Sequence, residues 1–267
     1  MQIKFVPIFS GSSGNCALFA TEGAKLLIDA GRPGSAIIDQ LHRLKLDPFS
    51  LDGILVTHEH TDHAKGVGVL SRRFDLPVFA TAATFAAMEQ SIGSLASKNI
   101  RVIHPGHEFS VGNVCVSPHS IPHDAADPVG FVFRCCGRTV AQFTDLGHMP
   151  KEVLDIAAEA DLVVLESNHD VTMLKNGPYP FALKQRILSK RGHLSNDTAA
   201  EAAVSLASRG VTAIVLGHLS AQNNTETIAF ETVRQALTRE GVRVGEDVRL
   251  EVASREGPTV AYDLSVL

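Results

Sequence analysis

The stretch "GILVTHEHTDHAKG", residues 53–66, constrains what this chain can fold into more than any other part of it. It places three imidazoles and a carboxylate within six positions, directly after an apolar run. Burying so many ionisable groups together is costly unless they have partners or bind a metal. The H-x-H-x-D-H spacing is not the i, i+4 pair of a helical metal motif, so a loop from a strand into a helix is predicted to carry it. On such a loop the first two histidines can face one cation while the last two ligands face another. The four residues are His58, His60, Asp62 and His63.

The donor types in this stretch indicate a catalytic metal site. Imidazole and carboxylate suit Zn²⁺, Mn²⁺ and Fe²⁺ equally. Because the stretch has no thiol, a site with open coordination positions is favoured over a closed structural zinc site. A His-rich tag is excluded because the stretch is internal and interrupted, which leaves a chance surface cluster as the other interpretation.

Other buried-type strands also deliver an ionisable residue where they end. "ILVT" ends at His58, "AQFT" at Asp145 and "AIVLG" at His218, and His123 follows "CVSPHSIP". In α/β proteins, sites are usually built at the carboxyl ends of strands. We therefore predict that these residues belong to one functional site.

The order of elements predicts an α/β fold. With 267 residues, 45% of them hydrophobic, the chain can bury a large core, and no linker divides it, so we expect one domain over residues 1–267. Strands dominate the start of each half and then alternate with helices, which predicts a four-layer αββα sandwich. Among the helices we predict "PKEVLDIAAEA", with Pro150 in its first turn, and "SNDTAAEAAVSLASRG", capped by Ser195 or Asn196 and ended by Gly210. The strands "VRLEVA" and "PTVAYDL" are expected to finish the chain.

The sequence also predicts the compartment. The N-terminus lacks a signal-peptide pattern, and no apolar run reaches the length of a membrane span, so a cytoplasmic protein is expected. Four cysteines without C-x-x-C spacing are expected to be reduced core thiols. They are Cys16, Cys115, Cys135 and Cys136.

Taken together, the motifs resemble the metallo-β-lactamase fold of binuclear hydrolases, and more narrowly the YycJ/WalJ-type exonuclease family. The resemblance runs from about residue 7 to residue 224. It is carried by "GSSGNC", "THEHTDH", "PHDAADPVGF", "ESNHD…MLKNGPYP…LKQRI…GHLSN" and "LGHLSAQNN". The resemblance implies a metallo-β-lactamase-type sandwich that binds two divalent ions, Zn²⁺ or Mn²⁺ or also Fe²⁺. The chain has no room for the β-CASP insertion of ribonuclease J-like relatives.

The resemblance also implies a ligand set for each metal. The first metal is expected to be held by His58, His60 and His123, the second by Asp62, His63 and His218, with Asp145 bridging both. His119 lies close to His123 in the sequence, but the family pattern places His-Asp-Ala before a Gly-aromatic pair, here Gly130 and Phe131, so His123 is expected to be the ligand. His119 then has a supporting or a purely structural role. Asp29 in "LLIDAG" matches a recurrent acidic position and is expected to orient the metal loop, with hairpin capping as the alternative.

Two cations about 3.5–4 Å apart can activate one water and stabilise a leaving oxygen. A bridging hydroxide would then attack a phosphodiester in line, positioned by Asp62 and Asp145. His193 is expected to act as phosphate ligand or general acid, supported by Glu166 as in ribonuclease Z-like relatives. Capping of the following helix is the other interpretation of His193.

Further residues are expected to bind substrate. The Gly/Ser loop "SGSSGN", from Ser10 to Asn15, can offer backbone N–H groups and hydroxyls to a phosphate. The basic stretch "LKQRILSKRGH", with Lys184 and Arg186, is interpreted as a phosphate-backbone track, or else as a solvated helix face. The candidate substrate-binding residues are Ser12, Ser13, Asn15, Asn168, His169, Lys190, Arg191, Asn223 and Asn224.

From these residues and the resemblance, we expect a binuclear metal-dependent phosphodiesterase that acts on nucleic acid, specifically a 5′→3′ DNA exonuclease. The formal net charge of −5 argues against a protein that coats nucleic acid by bulk attraction, but it allows a local basic groove. Three alternatives are a small-molecule hydrolase (of a cyclic phosphodiester, thioester or lactone), a ribonuclease, and a non-catalytic metal-binding module. The basic stretch before His193 favours nucleic acid over a small molecule.

Overall fold

A computed structural model describes residues 2–258 and 261–264. Its strands are β1 (Lys4–Phe9), β2 (Cys16–Ala20), β3 (Lys25–Ile28), β4 (Gly53–Leu55), β5 (Val78–Ala80), β6 (Ile100–Val102), β7 (Phe109–Val111), β8 (Val114–Ser120), β9 (Val129–Cys135), β10 (Arg138–Phe143), β11 (Leu162–Glu166), β12 (Ala213–Gly217), β13 (Arg249–Val252) and β14 (Tyr262–Asp263). Its α-helices are α1 (Gly34–Arg43), α2 (Thr61–Ala64), α3 (Val67–Phe74), α4 (Ala82–Ile92), α5 (Lys151–Ala157), α6 (Val171–Asn176), α7 (Phe181–Ile187), α8 (Asn196–Ser208) and α9 (Glu226–Arg239). Short 3₁₀ helices cover Pro48–Ser50 and Ser97–Asn99.

The chain divides into two compact units. The first comprises Met1–Ser120, Ala125–Cys136 and Ser254–Leu267, and the second comprises Ile121–Asp124 and Gly137–Ala253. That the chain forms one domain without a β-CASP insertion stays a prediction.

The first unit is built on a mixed sheet in the order β14-β1-β2-β3-β4-β5-β6. Pairing is antiparallel from β14 to β3 and parallel from β3 to β6. Side chains of β1, β3 and β4 meet those of α1 and α3 in a core that includes Ile8, Leu27, Ile37, Ile54 and Leu70, each of them almost fully buried. Burying such side chains contributes about 1.5–3 kcal/mol each. This core fixes the carboxyl ends of β3 and β4, from which the histidine loop departs.

The strands β7, β8 and β9 of the same unit form an antiparallel meander. Phe133 on β9 stacks on Phe19 of β2 with ring centroids 4.8 Å apart. Phe109 of β7 stacks in the same manner on Phe79 of β5, at 5.1 Å. Stacked aromatic pairs add about 0.5–1.5 kcal/mol beyond their area burial. Two layers of strands therefore pack against each other within this unit.

In the second unit, β10, β11, β12 and β13 pair in that order, and every pairing is parallel. The central strands read as continuous apolar runs, "LVVLE" and "AIVLG", and all their residues are buried. Parallel strands that are covered on both faces have this composition. Their carboxyl ends lie side by side, and the candidate ligands follow there.

Most predicted elements are present, with differences at their ends. Ser195 is the N-cap of α8 and accepts from the Thr198 amide, while Gly210 follows the helix in a left-handed conformation with φ 99°. Pro150 is the N-cap of α5 instead of lying in its first turn. The predicted strand "PTVAYDL" lies partly outside the described residues, and its described part includes β14. The strand β7 and the helix α6 were not predicted, because both are short and lack clear periodicity.

The expectation that all four cysteines are core thiols is wrong for two of them. Cys16 and Cys135 are buried, but Cys115 is half-buried and Cys136 is exposed. Cys136 sits in the turn after β9 with φ 54°, which places its side chain outside the strand pattern.

Candidate metal centre

The candidate ligands lie at the ends of buried strands or shortly after them, with Asp62 and His63 on the short helix α2. In the first unit, Asp29 follows β3 and the His58–His63 loop follows β4. In the second unit, Asp145 follows β10, Glu166 is the last residue of β11 and His218 follows β12. Within each unit the parallel pairing of the strands brings these ends to one edge of the sheet.

Three of these residues hold a backbone conformation that side chains disfavour. Asp29, Asp145 and His218 have φ values of 59°, 60° and 56°. A left-handed conformation costs a non-glycine residue about 1–2 kcal/mol. Strain of this kind persists where the surroundings impose it, and it clusters at functional sites. Each strained residue points its side chain into one of the two clusters described next.

In the first unit, Asp29 organises the histidine loop. Its carboxylate accepts from the Thr57 amide at 2.8 Å, from the Thr57 hydroxyl at 2.9 Å and from Nδ1 of His63 at 2.8 Å. An ionised carboxylate only accepts hydrogen bonds, so the proton of His63 is on Nδ1 and the lone pair is on Nε2. Both Asp29 and His63 are fully buried. The structure thus places Asp29 where it orients the loop.

The Thr57 hydroxyl extends this arrangement to His58. Because it donates to Asp29, its oxygen is the acceptor for Nδ1 of His58, 3.0 Å away. Nε2 of His58 lies 3.1 Å from Nδ1 of His60. Two imidazole nitrogens on one tetrahedral zinc, at about 2.0–2.1 Å from the metal, are about 3.4 Å apart. The spacing of His58 and His60 is therefore close to that of two ligands on one cation.

Asn15 reaches the same loop. Its Nδ2 lies 3.0 Å from Nε2 of His63 and 3.2 Å from the Asp62 carbonyl oxygen, and its Oδ1 accepts from the Gly11 amide. The Gly/Ser loop therefore lies against the histidine loop, while substrate binding by it stays a prediction. Ser12 and Ser13 are exposed.

In the second unit, the Glu166 carboxylate joins four donors by accepting a hydrogen bond from each. Its Oε1 accepts from Nδ1 of His193 at 2.8 Å and from Nδ1 of His218 at 2.9 Å. Its Oε2 accepts from the amides of Leu146 and Leu194 at 2.7 and 3.0 Å. Burial alone raises the pKa of a carboxyl, but the two imidazoles, His193 foremost, outweigh it and hold the pKa of Glu166 well below its usual range. One carboxylate therefore fixes the tautomer of both histidines, with the lone pair on each Nε2.

The side chain of Asp145 stands beside these imidazoles. Its Oδ1 lies 3.3 Å from Nδ1 of His218, 3.6 Å from Nδ1 of His193 and 3.7 Å from Nε2 of His123. In Asp145, Glu166, His193 and His218 one donor atom each lies within 4.8 Å of the others, which is compatible with a metal ion.

Two contacts position His123. Its Nδ1 lies 3.1 Å from the Gly192 carbonyl oxygen, which can only accept, so the lone pair of this imidazole is on Nε2. Its own carbonyl oxygen accepts from Nε and Nη2 of Arg191, at 3.0 and 2.9 Å. Burial lowers the pKa of His123, against the opposing effect of Asp145, and keeps the imidazole neutral as a metal ligand requires. Arg186 forms an ion pair with the neighbouring Asp124.

These contacts assign local roles to the basic stretch. Arg191 and Arg186 bind the segment that contains His123, and Lys184 donates to the Lys175 carbonyl oxygen. Lys190 is exposed. His119 lies on β8, paired with Gly130, and is half-buried.

Three of the asparagines that were predicted to bind substrate are buried close to His218 in the fold or in the sequence. Asn168 donates to the His218 carbonyl oxygen at 2.9 Å. Asn224 donates to the Ser167 carbonyl oxygen and exchanges hydrogen bonds with Asn196, in a fully buried network. Asn223 is buried and accepts from the Asp170 amide through its carbonyl oxygen. Their observed contacts support the framework of the site, and substrate binding by them stays a prediction.

His169 is buried, with 1% of its surface exposed. Neither ring nitrogen has a hydrogen-bond partner among the described residues. Burial lowers the pKa of His169 to about 4, so its imidazole is neutral near pH 7. Its role as a substrate contact also stays a prediction.

The donor chemistry of both clusters fits divalent metal ions. Most of the candidate ligand histidines bind a protein acceptor through Nδ1 and carry the lone pair on Nε2, the arrangement typical of metal-binding histidines. Sequence reasoning missed Thr57, although a hydroxyl at the end of the apolar run "GILVT" could have indicated it. It also missed the Gly192 and Arg191 contacts to His123, for which the sequence has no local signal.

This fold and these clusters define a class of metal-dependent hydrolase. Residues 24–219 match the model of the Beta-lactamase superfamily domain. The structure of the metallo-beta-lactamase fold protein YhfI from Bacillus subtilis is 16% identical, covers 98% of this chain and 100% of its own, and superposes with a TM-score of 0.73. The predicted α/β fold of metallo-β-lactamase type is confirmed.

Two relatives narrow the family. Exodeoxyribonuclease YycJ of Bacillus anthracis is 38% identical, over 97% of this chain and 98% of its own length. Exodeoxyribonuclease WalJ of Streptococcus pneumoniae is 36% identical, over 96% of each chain. The chain therefore belongs to the YycJ/WalJ family of the metallo-β-lactamase superfamily, as its motifs indicated. Among the described residues, no helix is both long and apolar enough to cross a membrane.

Proposed function

We propose that this protein is a metal-dependent 5′→3′ DNA exonuclease of the cytoplasm. The observation that carries the proposal is the Glu166 carboxylate shared by His193 and His218, in a chain that matches two exodeoxyribonucleases over nearly its whole length. A metal-binding module without activity has no need for a partly exposed, carboxylate-oriented imidazole such as that of His193, whose side chain is 15% exposed.

The ligand sets that we propose are those implied by the family. One ion would be held by His58, His60 and His123, the other by Asp62, His63 and His218, and Asp145 would serve both. When bound, such ions lower the pKa of a water molecule and polarise the phosphodiester. The Nε2 atoms of four of these histidines support this assignment, because in each of them Nδ1 is bound to a protein acceptor and Nε2 carries the lone pair. These four are His58, His63, His123 and His218. Whether the ions are Zn²⁺, Mn²⁺ or Fe²⁺ is a question for metal analysis.

The protein's own residues supply the proton transfers. Asp62, whose side chain is 28% exposed, is the group that we propose to orient the attacking water and accept its proton. His193, with 15% of its side chain exposed, can bind the phosphate, or, when Nε2 carries a second proton, donate that proton from the charged imidazole to the leaving oxygen. Glu166 stabilises the charged imidazole through Nδ1, since an ionised partner strengthens the hydrogen bond.

The proposal is tested by digestion of a 5′-phosphorylated, end-labelled DNA duplex with Mn²⁺. The expected result is stepwise loss of nucleotides from the 5′ end by the wild type and none by Asp62→Ala. If neither duplex DNA, single-stranded DNA nor RNA is cleaved while a small phosphodiester or thioester is, the small-molecule alternative replaces the nuclease. Cleavage of RNA alone would identify a ribonuclease.

A further inference from the structure

Phe181, the first residue of α7, is 76% exposed, the highest value among the large apolar side chains in the described part of the chain. Leu188, just beyond the end of this helix, is 40% exposed. Ile187 is the residue by which α7 is buried. The Phe181 ring therefore adds little to the core, and folding does not explain its presence on the surface.

The segment around this ring is strongly basic. Residues 175–191 contain five of the 24 basic residues of the chain and none of its 29 acidic residues, although the whole chain has a net charge of −5. Lys184 and Arg191 donate to backbone carbonyl oxygens, which leave their positive charge uncancelled. Arg186 is bound to the Asp124 carboxylate. The surface of α7 is therefore a local positive field on an acidic protein.

The helix is fixed to the catalytic cluster of its own unit. The His193 amide donates to the Ile187 carbonyl oxygen at 3.0 Å, so the end of α7 sets the position of His193. Arg186 binds Asp124, the residue after His123. A seven-residue helix is about 10 Å long, which corresponds to about three nucleotide steps of 3.4 Å along one strand. Phe181 therefore lies a few nucleotides away from the end of α7 that positions His193.

We propose that Phe181 is a stacking platform for a nucleobase of the substrate strand, with Lys175, Lys184 and Lys190 facing its phosphates. This inference rests on the proposed nuclease function and adds to it a binding site that lies beyond the metal ligands. A single ring in a basic surface is typical of sequence-independent binding to a nucleic-acid strand, because every base has a face that can stack. A protein-docking surface would instead show a contiguous apolar patch.

The test compares Phe181→Ala with Phe181→Trp and Phe181→Leu, and with Phe49→Ala as matched control. Phe49 is 71% exposed but belongs to the first unit, on the 3₁₀ helix Pro48–Ser50. Binding of a fluorescein-labelled single-stranded oligonucleotide is measured by fluorescence anisotropy in the presence of Mn²⁺. All variants also carry Asp62→Ala, because this substitution prevents cleavage of the oligonucleotide. Phe181→Ala is expected to weaken binding about 5- to 150-fold, the range that one stacked base is worth. Phe181→Trp should bind within about twofold of the parent and Phe49→Ala should bind like it, whereas Phe181→Leu should be as weak as Phe181→Ala.

The second readout is hydrolysis of bis(p-nitrophenyl) phosphate. It uses the same Phe181 and Phe49 variants in proteins that retain Asp62 and are therefore active. For Phe181→Ala, the fold-decrease in kcat/KM for DNA should be at least five times the fold-decrease in kcat/KM for this small diester. Unchanged DNA binding by Phe181→Ala, or parental binding by Phe181→Leu, would overturn the platform and leave the nuclease function standing. A wild type that neither binds nor cleaves DNA would overturn both.

Discussion

Replacing Glu166 by Gln tests whether the Glu166 carboxylate holds the second cluster together through its four hydrogen bonds. The carboxylate accepts four hydrogen bonds, two from imidazoles on Oε1 and two from backbone amides on Oε2. A glutamine has one accepting oxygen and one donating NH₂ group in the same space. Whichever way the amide turns, two of the four donors then face another donor.

The cost of that mismatch follows from burial. Glu166 is fully buried, and an unsatisfied buried donor costs about 1–3 kcal/mol, so two of them cost about 2–6 kcal/mol. The histidines can avoid it only by moving their protons from Nδ1 to Nε2, which removes the lone pairs that bind metal. Glu166→Gln should therefore lower either the stability of the metal-free protein or its metal affinity, and kcat should fall about 10²- to 10⁴-fold.

The assay is urea unfolding in EDTA, followed by metal titration and DNA digestion of the same preparation. Glu201→Gln, an exposed substitution on α8, is the control and should change stability by less than about 0.5 kcal/mol. Wild-type values of stability, metal affinity and kcat in Glu166→Gln would refute the claim that the Glu166 carboxylate orients His193 and His218.

Three further predictions concern the same unit. Arg191→Met should weaken metal binding about 10- to 100-fold, as expected for a group that orients a ligand, while Lys190→Met should not; equal metal affinities by calorimetry would contradict this. His193→Ala should keep its metal content but lower kcat about 10²- to 10⁴-fold, and a wild-type rate would return His193 to a capping role. The pKa of His169 is lowered to about 4, below its value in the unfolded chain. Its contribution to the free energy of unfolding is therefore present above about pH 6.5 and is lost as the pH falls to 4. The loss amounts to at most about 3 kcal/mol. In EDTA, the unfolding midpoint of His169→Asn should therefore fall less steeply over this range than that of the wild type, and parallel curves would contradict the prediction.

The ends of the central strands could be predicted from the sequence. Continuous apolar runs such as "AIVLG" identify buried parallel strands, and the residue after such a run has to lie at the sheet edge. His58, Asp145 and His218 were located in this way. The H-x-H-x-D-H spacing indicated how the four residues of that stretch divide between two cations, and the family resemblance supplied the complete division of the candidate ligands into two sets.

The contacts that orient the ligands could not be predicted, because they join distant parts of the chain. Glu166 was expected to support His193, but its hydrogen bond to His218, at 2.9 Å nearly as short as that to His193, spans 52 residues. Arg191 was expected to bind substrate, which stays a prediction, and its guanidinium also holds the His123 carbonyl oxygen, 68 residues away. Neither contact follows from periodicity or composition, because both depend on how the loops after β11 and α7 fold back.

The central claim is that divalent metal held by these clusters is required for phosphodiester cleavage. The most direct measurement strips the protein with EDTA, titrates Mn²⁺ back, and records bound metal by mass spectrometry and DNA digestion on the same samples, for the wild type and Asp145→Ala. We predict that the wild type binds two ions per chain and that cleavage appears only as they bind, whereas Asp145→Ala loses metal and all cleavage. Full cleavage by the stripped protein, or wild-type metal content and rate in Asp145→Ala, would contradict the account.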